Sequence, residues 1–326
     1  MVRAHILLIT ALTLAMGCSG KDPARPVAGG KLQVVASIFP LADAARQIGG
    51  TDAEVVCLLP PGRSPHGFQP TPQDADALNK AQLVLMIGMG MDDWSLPRSS
   101  EGRTVVRLAE RPAFRQAIVQ TATSPASAPA YHDDHDEHEA PGHAAAKPAN
   151  DGHRHDSGDP HVWLDPVLMD VLVGEMAEAM ATADPAHRTD YMTRRDAYLV
   201  ELRKLDEEYR QTLSKLHGRK FVTFHEAFGH LARRYKLEEL ALHDAEAGGF
   251  GPDKLEQVAR FIRDNHLTVI FAEPQYPADR LEALAKVTGA RIGRLDPEGN
   301  PDVKGYDSYL AMMRGNLAAL TEGLRE

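Results

Sequence analysis

Apolar residues fall along the chain in short runs separated by amphipathic stretches, the alternation expected of parallel strands covered by helices. Lys31–Ile38 (KLQVVASI) predicts a first strand, Asp43–Ile48 a helix stopped by Gly49-Gly50, and Ala53–Leu59 a second strand stopped by Pro60-Pro61-Gly62. Thr71–Ala81 predicts a helix and Leu83–Ile87 a third strand. The pattern resumes near Val162, with a helix over Pro166–Ala183. A second series then predicts a strand over Lys220–Phe224 (KFVTF), a helix over Pro252–Asn265, a strand over Leu267–Phe271 and a helix over Pro277–Thr288. A strand over Ala290–Leu295 and a closing helix over Tyr306–Leu324 complete it. Two halves of this kind predict an α/β protein of two Rossmann-like lobes with mainly parallel sheets.

Between the halves lies a long polar segment with one apolar stripe. Asp184 predicts an N-cap and Pro185 a first helical residue, and neither Gly nor Pro recurs before Gly218. Tyr198, Leu202, Leu205, Tyr209, Leu213 and Leu216 recur at spacings of three and four. A helix over Pro185–Leu216 would span about 48 Å. A coiled-coil arm would share this pattern, but a helix bracing two lobes fits better because a second α/β series follows at once.

The ends of the first lobe differ in kind. Ile6–Met16 is an apolar run preceded by Arg3, the pattern of a secretory signal peptide, and it is too short to span a bilayer as a stable helix. Ala15-Met16-Gly17-Cys18 resembles a bacterial lipoprotein cleavage site, in which Cys18 would become the acylated first residue; an ordinary cleaved signal is the alternative. The organisation expected is thus a signal peptide over 1–17, a lipid-anchored tether over 18–30, and an N-terminal lobe over 31–183. A bracing helix over 184–217 and a C-terminal lobe over 218–326 complete it. Within the first lobe, 121–158 lacks Ile, Leu, Val, Phe, Met and Trp, cannot bury a core and predicts a mobile insertion.

Charge and cysteine content narrow the function. With 36 Lys plus Arg against 46 Asp plus Glu, the formal net charge of −10 lacks the positive field that phosphates require, which argues against nucleic-acid binding. Two cysteines cannot form a disulfide scaffold, and Cys57 sits in the apolar run Val55–Leu59 as a buried small hydrophobe. Fifteen histidines stand out. His66 follows the second strand through a proline-rich turn, His161 lies in Asp159-Pro160-His161-Val162-Trp163, His225 ends KFVTF, and Asp296 ends the strand Ala290–Leu295. Ligands of open α/β sheets collect beyond the carboxyl ends of strands, so His66 from one lobe and His225 and Asp296 from the other can face a shared cleft.

Five segments carry a resemblance: PGRSPHGF at 61–68, DPHVWLDP at 159–166, TFHEAFG at 223–229, FAEPQ at 271–275 and LDP at 295–297. In this order, around a His-rich insertion and a long helix, the chain from Lys31 onward resembles the zinc- and manganese-type substrate-binding proteins of bacterial ABC importers. The resemblance implies a metal site between the lobes with ligands at His66, His161, His225 and Asp296. Some zinc members use an acid directly before the first histidine; that position is Pro65 here, leaving Asp296, or water, to complete the site. Three neutral imidazoles and a carboxylate suit tetrahedral Zn²⁺, whereas Mn²⁺ prefers more oxygen ligands. The resemblance therefore implies a monomeric, non-enzymatic, lipid-anchored protein of the cell envelope. It would capture Zn²⁺ outside the cytoplasmic membrane and deliver it to an ABC permease driven by a cytoplasmic ATPase. The bracing helix would restrict the lobes to small tilts, so that release needs the permease to loosen a ligand loop.

Other readings compete. A manganese carrier of the same family keeps the transport role. A metal-sequestering adhesin would lack the permease. In a zinc hydrolase, His225-Glu226 would pair with His230, but five residues of separation put those histidines about 140° apart on a helix. His230 is read as a packed residue, His187 and His217 as residues near the ends of the long helix, and His243 and His266 as surface or cleft-edge residues. Asp159 and Asp165 are candidates for orienting the His161 loop, and Glu273 for either a cleft hydrogen bond or a turn.

Six histidines, His132, His135, His138, His143, His153 and His155, cluster within Tyr131–Ser157. A mobile imidazole-rich tract can bind Zn²⁺ weakly, to capture it and hand it to the cleft or to sense excess metal, and a solvated loop with incidental affinity is the alternative; this binding fades below about pH 6 as the imidazoles protonate. Deletion of Tyr131–Ser157 is expected to leave tight one-to-one Zn²⁺ binding intact in a chelator-competition titration. Loss of the tight site would overturn the ligand assignment.

Overall fold

The computed structural model describes residues 30–96, 102–122, 158–243 and 252–325. The first sheet contains β1 (Leu32–Ala36), β2 (Ala53–Cys57), β3 (Leu83–Met86) and β4 (Thr104–Arg107), all parallel, in the order β2-β1-β3-β4. The second contains β5 (Lys220–His225), β6 (Glu238–His243), β7 (Val269–Ala272) and β8 (Arg291–Arg294), again all parallel, in the order β6-β5-β7-β8. The two lobes thus repeat one topology, and each places the carboxyl ends of its central strands toward the cleft side where ligands collect.

Nine helices cover the sheets among the described residues: α1 (Phe39–Gly49), α2 (Pro72–Lys80), α3 (Pro112–Ala122), α4 (Pro166–Ala183), α5 (Arg188–Leu213), α6 (Gly229–Tyr235), α7 (Pro252–Asp264), α8 (Asp279–Thr288) and α9 (Tyr309–Leu324). The capping chemistry is local. Thr71 and Asp74 form a reciprocal capping box at α2, Asp165 caps α4 by accepting from the Val167 N–H, and Ser308 accepts from Ala311 at α9.

The long helix differs from expectation at both ends. Pro185–His187 is a 3₁₀ turn, α5 runs for 26 residues, about 39 Å, and Ser214–Leu216 is again 3₁₀. Asp184 does not cap the backbone. Its Oδ2 instead accepts from the Tyr191 hydroxyl at 2.8 Å and meets His187 Nδ1 at 2.7 Å. Strands β4 and β6 and helices α3 and α6, which the hydrophobic pattern had not marked, complete the two lobes.

One hydrophobic core runs through both lobes. The apolar stripe of α5 (Tyr198, Leu202, Leu205, Tyr209, Leu213) is buried together with Leu168, Leu172 and Met176 of α4, Leu41 of α1, Phe271 of β7 and Leu320 of α9. Smaller clusters lie under the outer helices of each sheet. Polar ties cross the boundary as well. Trp163, fully buried, donates its indole N–H to the Pro297 carbonyl at 2.6 Å. The Tyr309 hydroxyl donates to the Trp163 carbonyl at 2.8 Å, and the Tyr309 N–H donates to Asp43 Oδ2 at 2.9 Å. Burial pushes the Asp165 carboxyl upward, and Arg234 of α6, paired with it across the boundary, pulls it back.

Asp165 is fully buried, so removing its partner strands a charge in a poor solvent. Arg234→Ala is expected to lower stability by about 3–5 kcal/mol. Denaturant unfolding followed by circular dichroism measures this; a change under about 1 kcal/mol would mean the pair contributes little.

Candidate metal centre

Three loops converge between the lobes. The first leaves β2 through Leu58 and Leu59, and Gly62 and Gly67 bracket it with φ of 73° and 72°, backbone that L side chains rarely adopt. Trp94 donates its indole N–H to the Pro65 carbonyl at 2.9 Å, and Ser64 Oγ lies 3.1 Å from the Tyr276 hydroxyl of the other lobe. His66, half-buried, projects from this loop. The second loop precedes α4 and carries His161. The third begins at His225, the last residue of β5.

The imidazoles of His66, His161 and His225 come together. One ligand nitrogen from each lies within 4.8 Å of the others, and the rings are separated by 5.2–5.6 Å between centroids. His66 Nε2 and His161 Nε2 are 3.0 Å apart. Two nitrogens on a tetrahedral Zn²⁺ stand about 3.3 Å apart at ordinary Zn–N lengths, so little motion separates this pair from a liganding geometry.

Carboxylates fix the rings from behind. Asp159 Oδ1 accepts from the His161 backbone N–H at 3.0 Å and meets His161 Nδ1 at 2.9 Å, which leaves Nε2 facing the cleft. Glu273, placed just after β7, uses Oε1 to accept from the Phe224 and His225 N–H groups at 3.1 and 2.9 Å, and its Oε2 contacts His225 Nδ1. This is the carboxylate–histidine arrangement that sets tautomer and basicity of metal-binding imidazoles. Burial, the largest influence, lowers the His161 pKa against the pull of Asp159 and favours the neutral ring that a metal requires. Burial would raise Asp159, but its hydrogen bond to His161 and the nearby His230 hold it well below the usual carboxylate range.

Asp296 behaves differently. It is 1% exposed and is not part of the three-histidine group. Its Oδ1 accepts from Gln275 at 2.9 Å, Glu298 N–H at 3.2 Å and Gly299 N–H at 2.9 Å, and its Oδ2 accepts from Arg294 at 2.9 Å. Asn316 closes on both its backbone N–H and its carbonyl. In this state the carboxylate ties down its own loop.

The remaining sequence candidates are dispersed. Asp165 caps α4 and pairs with Arg234 rather than touching the His161 side chain. His230 is buried, with Nε2 donating to the Asp159 carbonyl at 2.9 Å, and Glu226 is exposed. His217 and His266 are exposed. Burial pushes the Cys57 thiol up to about 12, consistent with a packed residue. Cys18, His132, His135, His138, His143, His153 and His155 lie outside the described residues, as does the His243 side chain. Sequence reasoning missed Glu239 of β6. Its Oε1 accepts from the Thr223 hydroxyl at 2.7 Å and the Phe228 N–H at 3.2 Å, and burial pushes its carboxyl up to about 8.

Comparisons with known proteins agree with this architecture. The chain is 25% identical over 329 residues to the zinc-binding protein AdcA of Streptococcus pyogenes, covering 98% of this chain but 61% of that protein's length. It is 27% identical over 322 residues to the high-affinity zinc uptake system protein ZnuA of Bacillus subtilis, covering 96% of this chain and 94% of the relative. The fold matches the periplasmic zinc-binding protein TroA of Treponema pallidum with a TM-score of 0.72 and 25% identity, over 91% of this chain and 100% of that one. Residues 34–323 match the family described as zinc-uptake complex component A, periplasmic (ZnuA), and the chain belongs to that family.

Proposed function

We propose that the protein is the zinc-binding component of an ABC importer, capturing Zn²⁺ outside the cytoplasmic membrane and delivering it to a permease driven by a cytoplasmic ATPase. The observation that carries this reading is the convergence of His66, His161 and His225, with His161 and His225 each backed by a carboxylate. All-nitrogen donation from three oriented imidazoles suits Zn²⁺ better than Mn²⁺. The relatives named for zinc binding and zinc uptake support the cargo, and the family's description as periplasmic supports an extracytoplasmic location. Anchoring through Cys18, function as a monomer, and zinc capture by the His-rich tract belong to the same proposal.

The three imidazoles supply three ligands. The fourth position falls to Asp296 if its carboxylate moves toward them, and to water if Asp296 keeps its bonds to Arg294, Gln275 and Gly299. The protein carries its ion as cargo and performs no reaction on it; the exposed position of Glu226 and the packing of His230 against Asp159 do not assemble a hydrolase centre.

Chelator-competition titration tests the reading. Zn²⁺ is expected to bind one-to-one and far more tightly than Mn²⁺, and His66→Ala to weaken Zn²⁺ by more than about 100-fold, beyond the range typical of outer partners. Asp296→Asn is expected to cost less, because its carboxylate already serves the loop; an equal loss would make Asp296 a ligand. Preference for Mn²⁺ would change the cargo and keep the transport role, and no tight binding of either ion would overturn the proposal.

Protons compete with the metal for the imidazoles, so affinity should fall as pH drops through the histidine range. Since burial lowers the His161 pKa, that ring should resist protonation to below its ordinary value of 6.5. Titrations between pH 8 and pH 5 measure the decline, and a pH-independent affinity would argue against imidazole ligands.

A further inference from the structure

Asp159 stands on the loop of the N-terminal lobe, yet the groups that hold it from outside come from α6 of the other lobe. Its backbone carbonyl accepts from His230 Nε2 at 2.9 Å. Its Oδ2 lies 3.4 Å from the same nitrogen and 3.6 Å from the Arg233 guanidinium. Its Oδ1 serves His161 through both the backbone N–H and Nδ1. Gly229 eases the approach: a Cβ there would stand 3.1 Å from Asp159 Oδ2 and 3.3 Å from the Arg233 guanidinium, close enough that these groups would have to give slightly.

The proton positions follow from the donors. Arg233 can only donate, and it reaches His230 Nδ1 at 3.0 Å. That nitrogen must therefore accept, which leaves the proton on Nε2, where it is given to Asp159. Arg233 thus selects the tautomer of His230 that grips the loop.

We infer that His230 and Arg233 are positioning residues of the metal centre, acting across the lobe boundary through Asp159 on the ligand His161. The inference rests on the zinc-binding reading above and deepens it. With Asp159 gripped, the His161 ring presents Nε2 to the ion and donates its Nδ1 proton to a fixed carboxylate, which raises its strength as a ligand. With the grip released, the carboxylate can turn away, and His161 loses both orientation and partner. Because α6 follows His225 in the chain after only three intervening residues, a tilt that carries His225 away from His161 also withdraws His230 and Arg233 from Asp159. Opening the cleft then separates the ligands and weakens one of them at the same time.

A double-mutant cycle on the full chain tests this, with Zn²⁺ affinity read by chelator competition and ligand geometry read by the visible spectrum of bound Co²⁺. Asp159→Asn is expected to weaken Zn²⁺ binding by about 10–100-fold. Arg233→Ala and His230→Phe are expected to weaken it by about 3–10-fold, a smaller share of the same effect because they act one bond further out. In the Asp159→Asn background both losses should shrink, because the carboxylate that carries their effect to His161 is gone and only the bond from His230 to the residue 159 carbonyl remains. The Co²⁺ bands of all three variants should shift in the same sense. The Arg233 side chain is 50% exposed, so Arg233→Ala decides the matter if His230→Phe melts early in its metal-free form. Wild-type affinity in Arg233→Ala, or an undiminished loss in the Asp159→Asn background, would overturn the inference. Failure of the unmutated chain to bind Zn²⁺ tightly would instead overturn the zinc reading on which it rests.

Discussion

The cleft depends on the pairing of a carboxylate with the rear nitrogen of an imidazole. A histidine in a cleft has two equivalent-looking nitrogens and a rotatable ring, and only an outside constraint makes it offer one nitrogen in one direction. Asp159 does this for His161 and Glu273 for His225, in both cases with the same carboxylate group also holding backbone N–H groups. Ring direction is therefore tied to loop position. The energetic cost of orienting the donors is met during folding, when the sheets and their loops form, rather than when an ion arrives.

That arrangement needs a scaffold that does not drift. The shared core supplies it: α4 and α5 lie in one hydrophobic cluster with residues of both lobes, and Trp163, Tyr309 and Arg234 fasten the boundary through bonds to buried partners. Interiors packed at this density transmit displacement instead of absorbing it.

Much of this was legible in the residues. Helix α4 matches its predicted bounds, the central strands β1 and β3 fall inside their apolar runs, and β5 and β7 overrun theirs by one residue, because fully buried parallel strands read as continuous hydrophobic stretches. Two of the four edge strands did not show: β6, EELALH, opens with two acids, and β4 is four residues beside a polar turn, so neither carries a period-two signal. His66 and His225 could be placed because each follows or ends a strand, and His161 because its segment carries the resemblance. Glu239 could not, since its significance arises only when β6 is laid beside β5. Glu273 became interpretable on the same ground, because adjacent parallel strands bring their carboxyl ends together and a sequence does not state which strands are adjacent.

The last helix has a consequence for how the molecule comes into being. Helix α9 is the final element, and it closes contacts with residues far earlier in the chain: Tyr309 reaches Trp163 and Asp43, and Tyr209 donates to the Met313 carbonyl. Its apolar face fills the core that α1, α4 and α5 leave open. The interior is therefore complete only when α9 has docked against elements far earlier in the chain. Such long-range closure slows folding, because loop entropy must be spent before the contacts that repay it can form.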